Sequence, residues 1–428
     1  MIPSLREGKQ AAIMGMALLV LGTVFFFSNH DVRYSFTEAN VVQSVDMEDQ
    51  YLEGTMSRRV AFVSLFVLSC LCLLVTKRRN GTAWDHPLPW AMLGFGILSI
   101  ASVLWSIEPG LSIRRLAVFG IFCIAASTLA SRFPADFLPA CVLAITSLYL
   151  AVGVGVEITS GTFHPLSGDF RFAGTVHPNV QGVNCSLMAI AAAALAAHPT
   201  GKRTPFLAAV LAALVFLFLT KSRTSLFCLL VTLSAFILFE SPKMWILAVL
   251  WVLAMCAGVF YFFLGDDLVS TVKAGLLMGR PAHDIGTFTG RTPIWEESLN
   301  YIGSRPLLGY GFSSFWTPRH IHLFSYAEGW SIPNAHSAYI DLLLALGLVG
   351  LLTYLLVLSL GIRRAHSSYK ENRSSGNGFV WMMLFFSFLH GLTESGIVEF
   401  SSLDSFVLIW GLLLLSVRPA DGEVRLAA

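Results

Sequence analysis

The sequence predicts an all-α fold: a polytopic integral membrane protein of about 12 transmembrane helices with one long periplasmic loop. Three observations predict it. Hydrophobic residues make up 55% of the 428 and charged residues only 13%, and mean hydropathy is +0.69, which leaves too little polar surface for a water-soluble globule. Apolar runs of membrane-crossing length recur from end to end. A single long polar stretch, 265–335, interrupts them.

In chain order the runs are 11–28, 60–76, 88–104, 116–130, 138–158, 179–197, 206–220, 225–240, 244–264, 336–360, 379–393 and 402–417. Each is long enough, or nearly so, to cross the hydrocarbon layer as a helix. The whole chain, 1–428, therefore reads as a single membrane domain. The first run is Phe-rich at its end and lacks a small-x-small cleavage pattern after Phe27, so it reads as a retained span.

Orientation follows from the basic residues, because short cytoplasmic loops collect Lys and Arg. Arg6 and Lys9, Lys77 to Arg79, Lys202 with Arg203, Arg363 to Arg373, and Arg418 all fall on one side when twelve spans are drawn. Both termini are then cytoplasmic. The opposite loop at 29–57 agrees, with acids at Asp31, Glu38, Asp46, Glu48, Asp49 and Glu53 against Arg33. The seven cysteines lie in or beside apolar runs and read as small buried hydrophobes. A net charge of +2 without a basic stripe gives no sign of a nucleic-acid partner.

Exceptions to the charge rule carry the functional signal. Arg171 and His177, Lys221 and Arg223, and Arg291 lie on the face where positive charge is disfavoured, as do Arg114 and Arg115. Cations at span ends can snorkel to lipid phosphates. Gathered together they repel unless a shared anion offsets the repulsion, and a diphosphate gripped by guanidinium groups is such an anion. Gly161, Pro165, Gly168, Gly174, Pro178 and Gly182 make 161–182 a turn-rich segment that can hold Arg171 and His177 at the membrane surface. His177 can equally be a helix-entry residue that bonds backbone.

In the long loop, Thr292 and Pro293 open a short amphipathic helix with Ile294, Ser298, Leu299 and Ile302 on one face, ending near Gly303 and Pro306. The rings of Phe315, Trp316, Phe324, Tyr326 and Trp330 suit sugars as well as lipid headgroups. The loop ends at His336, and His336, Tyr339, Ile340 and Leu343 share a face of the next span. A histidine on that first turn would feel the helix dipole, which favours the neutral imidazole a general base needs. It could also serve only to bond a neighbouring loop.

Over 95–415 the chain resembles the bacterial O-antigen ligases and the related O-antigen and exopolysaccharide polymerases. The carriers are Trp105 to Pro109; Arg171, Gly174, His177, Pro178, Asn179 and Gly182; Ser222, Arg223 and Thr224; Gly290, Arg291 and Trp295; Pro306, Gly309 and Gly311; and Asn334, His336, Tyr339, Gly347 and Gly350. The resemblance implies glycosyl transfer at the outer leaflet of the bacterial inner membrane. The donor would be a glycan on undecaprenyl diphosphate, the acceptor a glycan or a lipid A-core sugar, and other envelope polysaccharide assembly proteins would be partners. It implies Arg171, Arg223 and Arg291 on the diphosphate and His336 as base, with His177, Lys221 and Tyr339 as candidate supporting residues. No Asp-x-Asp pair or Gly-x-Gly-x-x-Gly fingerprint lies on a soluble face, so no metal and no cofactor is expected. The cadence of 102–115 and 286–316 leans toward a polymerase; the alternative is a ligase. A transporter or flippase for a lipid-linked glycan would call for mid-membrane charges and internal repeats, whereas these cations cluster at run ends.

Overall fold

The computed structural model describes residues 15–25, 56–75, 80–167, 170–198, 202–240, 291–400 and 402–419. The helices are α1 (Gly15–Phe25), α2 (Met56–Val75), α3 (Pro87–Ala101), α4 (Pro109–Arg132), α5 (Phe137–Thr159), α6 (Pro178–Ala197), α7 (Thr204–Leu219) and α8 (Arg223–Glu240). Then follow α9 (Arg291–Ser304), α10 (Pro318–Glu328), α11 (Ala338–Glu371), α12 (Ser375–His390) and α13 (Leu403–Leu415). A short antiparallel ribbon, β1 (Asn80–Thr82) with β2 (Val417–Pro419), is the described strand pair. Among the described residues six helices are long and apolar enough to cross a membrane, and α1, α7 and α13 are shorter apolar helices. The expected run at 244–264 and the loop up to 290 lie outside the described residues, as does most of the acidic loop at 29–57.

Starts are written into the sequence. Proline stands in the first turn of α3, α4, α6, α7 and α10, where a missing N–H costs nothing. Side chains of His86, His177, Thr317, Ser374 and Ser402 cap α3, α6, α10, α12 and α13 by accepting backbone N–H groups. The centre of the bundle is α6, whose run of alanines lets α5, α7, α8 and α12 pack closely on it. Gly182 in α6 is needed for this: a methyl group there would meet the Ser222 Cβ at 2.7 Å.

Two sets of side-chain contacts mark two ends of the bundle. At one end Tyr369 of α11 donates to Glu240 of α8 and lies 2.8 Å from His198, Ser375 donates to Asp136, and Arg418 pairs with Asp85. That end also carries Arg363, Arg364 and Arg373, three of the expected cytoplasmic cations. Arg171, Lys221, Arg223, Arg291 and His336 all sit at element boundaries of the other end.

The expected span at 336–360 is corrected in two respects. The helix continues to Glu371, and its backbone breaks at Gly347 (φ 65°, ψ −163°). Segment 306–311 fills the break: Tyr310 and Gly311 donate to the carbonyls of Leu344 and Ala345, and Leu348 and Val349 donate to those of Pro306 and Leu307. These four bonds satisfy backbone groups that the break frees, as non-helical backbone requires at membrane depth. A Cβ on Gly347 would sit 2.3 Å from the Leu307 carbonyl, and one on Gly311 2.6 Å from Ser106. Trp105 Nε1 donates to the Leu308 carbonyl and Phe312 N to Ser102 Oγ. The scattered Trp105, Ser106, Gly309, Gly311 and Gly347 form one structural knot.

Candidate functional site

At the end of the bundle that carries His336, three elements converge on Glu394, which follows α12 in a tight turn. Its Oε1 accepts from Arg291 NH2 at 2.5 Å and from Asn179 Nδ2 at 3.3 Å, while its Oε2 faces His336 Nδ1 at 3.6 Å. Asn179 in turn accepts through Oδ1 from Arg171 NH2 at 2.6 Å. Arg171 Nε donates to the Thr220 carbonyl, which ties its loop to the turn holding Lys221 and Arg223. One connected network therefore joins Arg171, Asn179, Glu394, Arg291 and His336. Arg223 and Lys221 enter through the same turn, with Lys221 in the left-handed region (φ 52°).

Glu394 escaped the sequence reading, which followed cations at span ends. The signal available was an acid, Glu394, directly after an apolar run on the same face as those cations. The anion that offsets their repulsion includes this internal carboxylate. Burial alone would raise the Glu394 carboxyl; the contact with His336 and the charges of Arg291, His336 and His390 outweigh burial and hold it down at about 2. Arg291 and Glu394 are buried together, with side chains 10% and 13% exposed.

His336 is not on the first turn of α11. Ser337 is the N-cap and the helix begins at Ala338, so the expected dipole contact gives way to the facing Glu394 carboxylate. A carboxylate opposite Nδ1 favours the tautomer with the proton on Nδ1, which leaves the Nε2 lone pair for an incoming proton. Nε2 is buried and has no hydrogen-bond partner among the described residues. The His336 backbone adopts φ 49°, a costly conformation for a non-glycine residue that persists only where its surroundings over-determine it. They do: His336 N donates to Asn334 Oδ1, Ala335 N donates to Asp341 Oδ1, and the Ala335 carbonyl accepts from Trp295 Nε1. Trp316 Nε1 also donates to Asp341, and Asn334 Nδ2 to Glu399. Burial, then the Asp404 and Asp341 charges, push the Glu399 carboxyl up to about 7 against the opposing Asn334 bond and His336.

The remaining expected residues sort differently. His177 caps α6 by accepting from Asn179 N at 3.2 Å, the helix-entry role. Tyr339 donates its hydroxyl to the Phe388 carbonyl and packs α11 on α12. In α9 the buried residues are Arg291, Ile294, Ser298 and Ile302, whereas Leu299, expected on that face, is 57% exposed. Phe315, Trp316 and Phe324 are core residues of a satellite cluster and present no open ring faces. Tyr326 and Trp330 are exposed. Helix α10 was not expected from the sequence. A second histidine, His390, lies behind the network with Nε2 3.1 Å from Ser225 Oγ. Among the described residues no cluster of three or more His, Cys, Asp or Glu could hold a metal ion.

One buried and two half-buried arginines, the Glu394 carboxylate and one histidine with an unpartnered nitrogen suit transfer of a group away from an anionic leaving group. Residues 187–355 match the O-antigen ligase family. That segment runs from α6 through His336 into α11, and over it the chain is similar to the O-antigen ligases. The six apolar helices of membrane-crossing length among the described residues accord with a multi-pass membrane protein. No curated protein matches the sequence.

Proposed function

We propose that the chain is a polysaccharide polymerase that extends an undecaprenyl-diphosphate-linked glycan at the periplasmic face of the inner membrane, in a twelve-span topology with both termini cytoplasmic. The observation that carries this reading is His336 Nε2, buried and unpartnered among the described residues, on an imidazole whose other nitrogen faces Glu394. In the reaction an acceptor sugar hydroxyl attacks the anomeric carbon of the donor glycan. His336 Nε2 takes the hydroxyl proton as the new C–O bond forms. The bond from the anomeric carbon to the diphosphate oxygen breaks, and undecaprenyl diphosphate departs with the electron pair. Direct displacement inverts the anomeric centre.

Arg171, Arg223 and Arg291 are assigned to the departing diphosphate, where charge grows in the transition state. The Arg291 bond to Glu394 uses one of the five N–H donors of a guanidinium, so it fixes the group without occupying it. Glu394 is a positioning residue for His336, in the manner of the third member of a nucleophile–base–orienter set. With this cationic set on the leaving group, the transfer needs neither a divalent metal nor a nucleotide sugar.

The test is transfer by the purified chain in lipid nanodiscs, given undecaprenyl-diphosphate-linked repeat and excess EDTA. Longer lipid-linked glycan and free undecaprenyl diphosphate are expected. Product only on added lipid A-core would replace polymerase with ligase. Transport of the donor without any transfer, or transfer restored only by manganese or magnesium, would overturn the reading.

A further inference from the structure

Most of the large aromatic side chains at 312–330 are put away. Phe315, Trp316, Phe324 and Ile332 are between 0% and 6% exposed. Tyr326 at 85% and Trp330 at 41% are exposed, and of the two it is Trp330 whose ring meets His336, with centroids 5.5 Å apart and 37° between the planes. Its position is fixed from both sides. Gly329 ends α10 in the left-handed conformation (φ 75°) and donates to the Ser325 carbonyl, while Ile332 N donates to Ser325 Oγ and its side chain anchors in the core. The chain is therefore held so that one indole stands outside the core, against the imidazole.

The imidazole supplies the second observation. Its Nε2 is buried without a hydrogen-bond partner among the described residues, a costly condition that marks a place where an outside group is to bond. An indole presents a broad, rigid, apolar face with a polar edge. The apolar C–H face of a pyranose ring stacks on such a surface and leaves its hydroxyls at the rim, free to reach a neighbouring acceptor nitrogen.

We propose that Trp330 is the platform for the acceptor sugar: a hexose ring stacks on the indole and thereby delivers the attacking hydroxyl to His336 Nε2. This rests on the glycosyl-transfer reading above and names the subsite that reading leaves open. An exposed Trp can instead be a membrane-interface anchor, and the ring contact with His336 is what favours the sugar. The two occupants differ in what they tolerate: a sugar platform needs a flat ring, whereas an interface anchor accepts any large apolar side chain.

Transfer is measured with a long-chain undecaprenyl-diphosphate-linked glycan as donor, while the repeat unit on a shortened prenyl diphosphate is titrated as acceptor. For Trp330→Ala the acceptor KM should rise on the order of tenfold, the size expected for loss of one aromatic stack, with donor KM and melting temperature unchanged. Trp330→Phe should stay within a few-fold of wild type and Trp330→Leu should resemble the alanine variant. Should the alanine variant be too slow to titrate, recovery by Phe and not by Leu supports the platform, and recovery by neither overturns it. An unchanged acceptor KM in Trp330→Ala, or Leu serving as well as Phe, overturns the platform while the wild-type transfer leaves the parent reading standing. Absence of transfer by the wild-type protein overturns both.

Discussion

The two ends of the bundle use the same residue types to opposite purposes. At the end bearing Arg363 to Arg373, the Arg373–Glu240 pair has side chains 48% and 25% exposed, and Arg418–Asp85 is more exposed still at 58% and 56%. At the other end Arg291–Glu394 is 10% and 13% exposed, and its carboxylate is shared with Asn179 and faces His336. Exposed pairs are screened and weak, whereas a buried pair depends on its full set of partners. The lesson is that a cation at a span end is informative when it is buried against an anion. Arginine at a boundary is by itself only a topology signal.

The largest expected contrast is all-or-none. Leu166, fully exposed beside the Arg171 loop, and Glu371, exposed at the opposite end, should differ completely in accessibility as cysteine variants. In cells with a permeabilised outer membrane, an impermeant thiol reagent should label Leu166→Cys at once and Glu371→Cys only after lysis. The reverse pattern would invert the topology.

Stability separates the ends next. Removing Glu394 strands a buried guanidinium, so Glu394→Ala should destabilise by about 3–5 kcal/mol, while Asp85→Ala at the exposed Arg418 pair should cost less than about 1 kcal/mol. Thermal unfolding in one detergent compares them, and equal shifts would erase the distinction. Arginine geometry gives a smaller effect. Arg171→Lys and Arg223→Lys keep the charge but lose the planar fork, so transfer should fall about 10- to 100-fold, the range of one charge-assisted hydrogen bond, whereas Arg373→Lys should leave it unchanged. Full activity in both site variants would leave only a general electrostatic role.

The smallest contrast is in pH dependence. The Glu399 carboxyl is raised from 4.5 to about 7, so the folded protein holds a proton there that the unfolded chain has released. Its contribution to stability is fully present below pH 4.5 and is lost as pH rises through 7. Glu399→Gln keeps the neutral form, so its melting temperature should gain on wild type between pH 5 and 8 and show no gain near pH 4. Glu394, held down at about 2, has the opposite sense: its contribution is present above 4.5 and fades as pH falls toward 2.

Much of this was legible in the sequence. Apolar runs marked α2 to α8 and α11 to α13 because a bilayer demands length and hydropathy, and those are local properties. Boundaries erred where polar residues continue a helix: α4 begins at Pro109 through Ser112, Arg114 and Arg115, and α11 runs on through Arg363 to Glu371. Helix α10 stayed hidden because Arg319, His320 and His322 break its apolar pattern. The three candidate arginines were visible as exceptions to a charge rule, and His336 as the end of the long polar loop. Glu394 obeyed that rule and so carried no flag, although it binds more of the network than any of them. The break at Gly347 was invisible for a different reason: hydropathy does not register backbone geometry, and the partner segment at 306–311 is distant in sequence.

The central claim is that the buried end performs proton transfer through His336. The direct measurement is the turnover of purified His336→Ala in nanodiscs with lipid-linked donor and acceptor, alongside its melting temperature and its insertion. The account predicts a fall of about a hundredfold to ten-thousandfold in a protein that melts and inserts as wild type does. Near-normal turnover of the alanine variant would make His336 a structural residue and contradict the account.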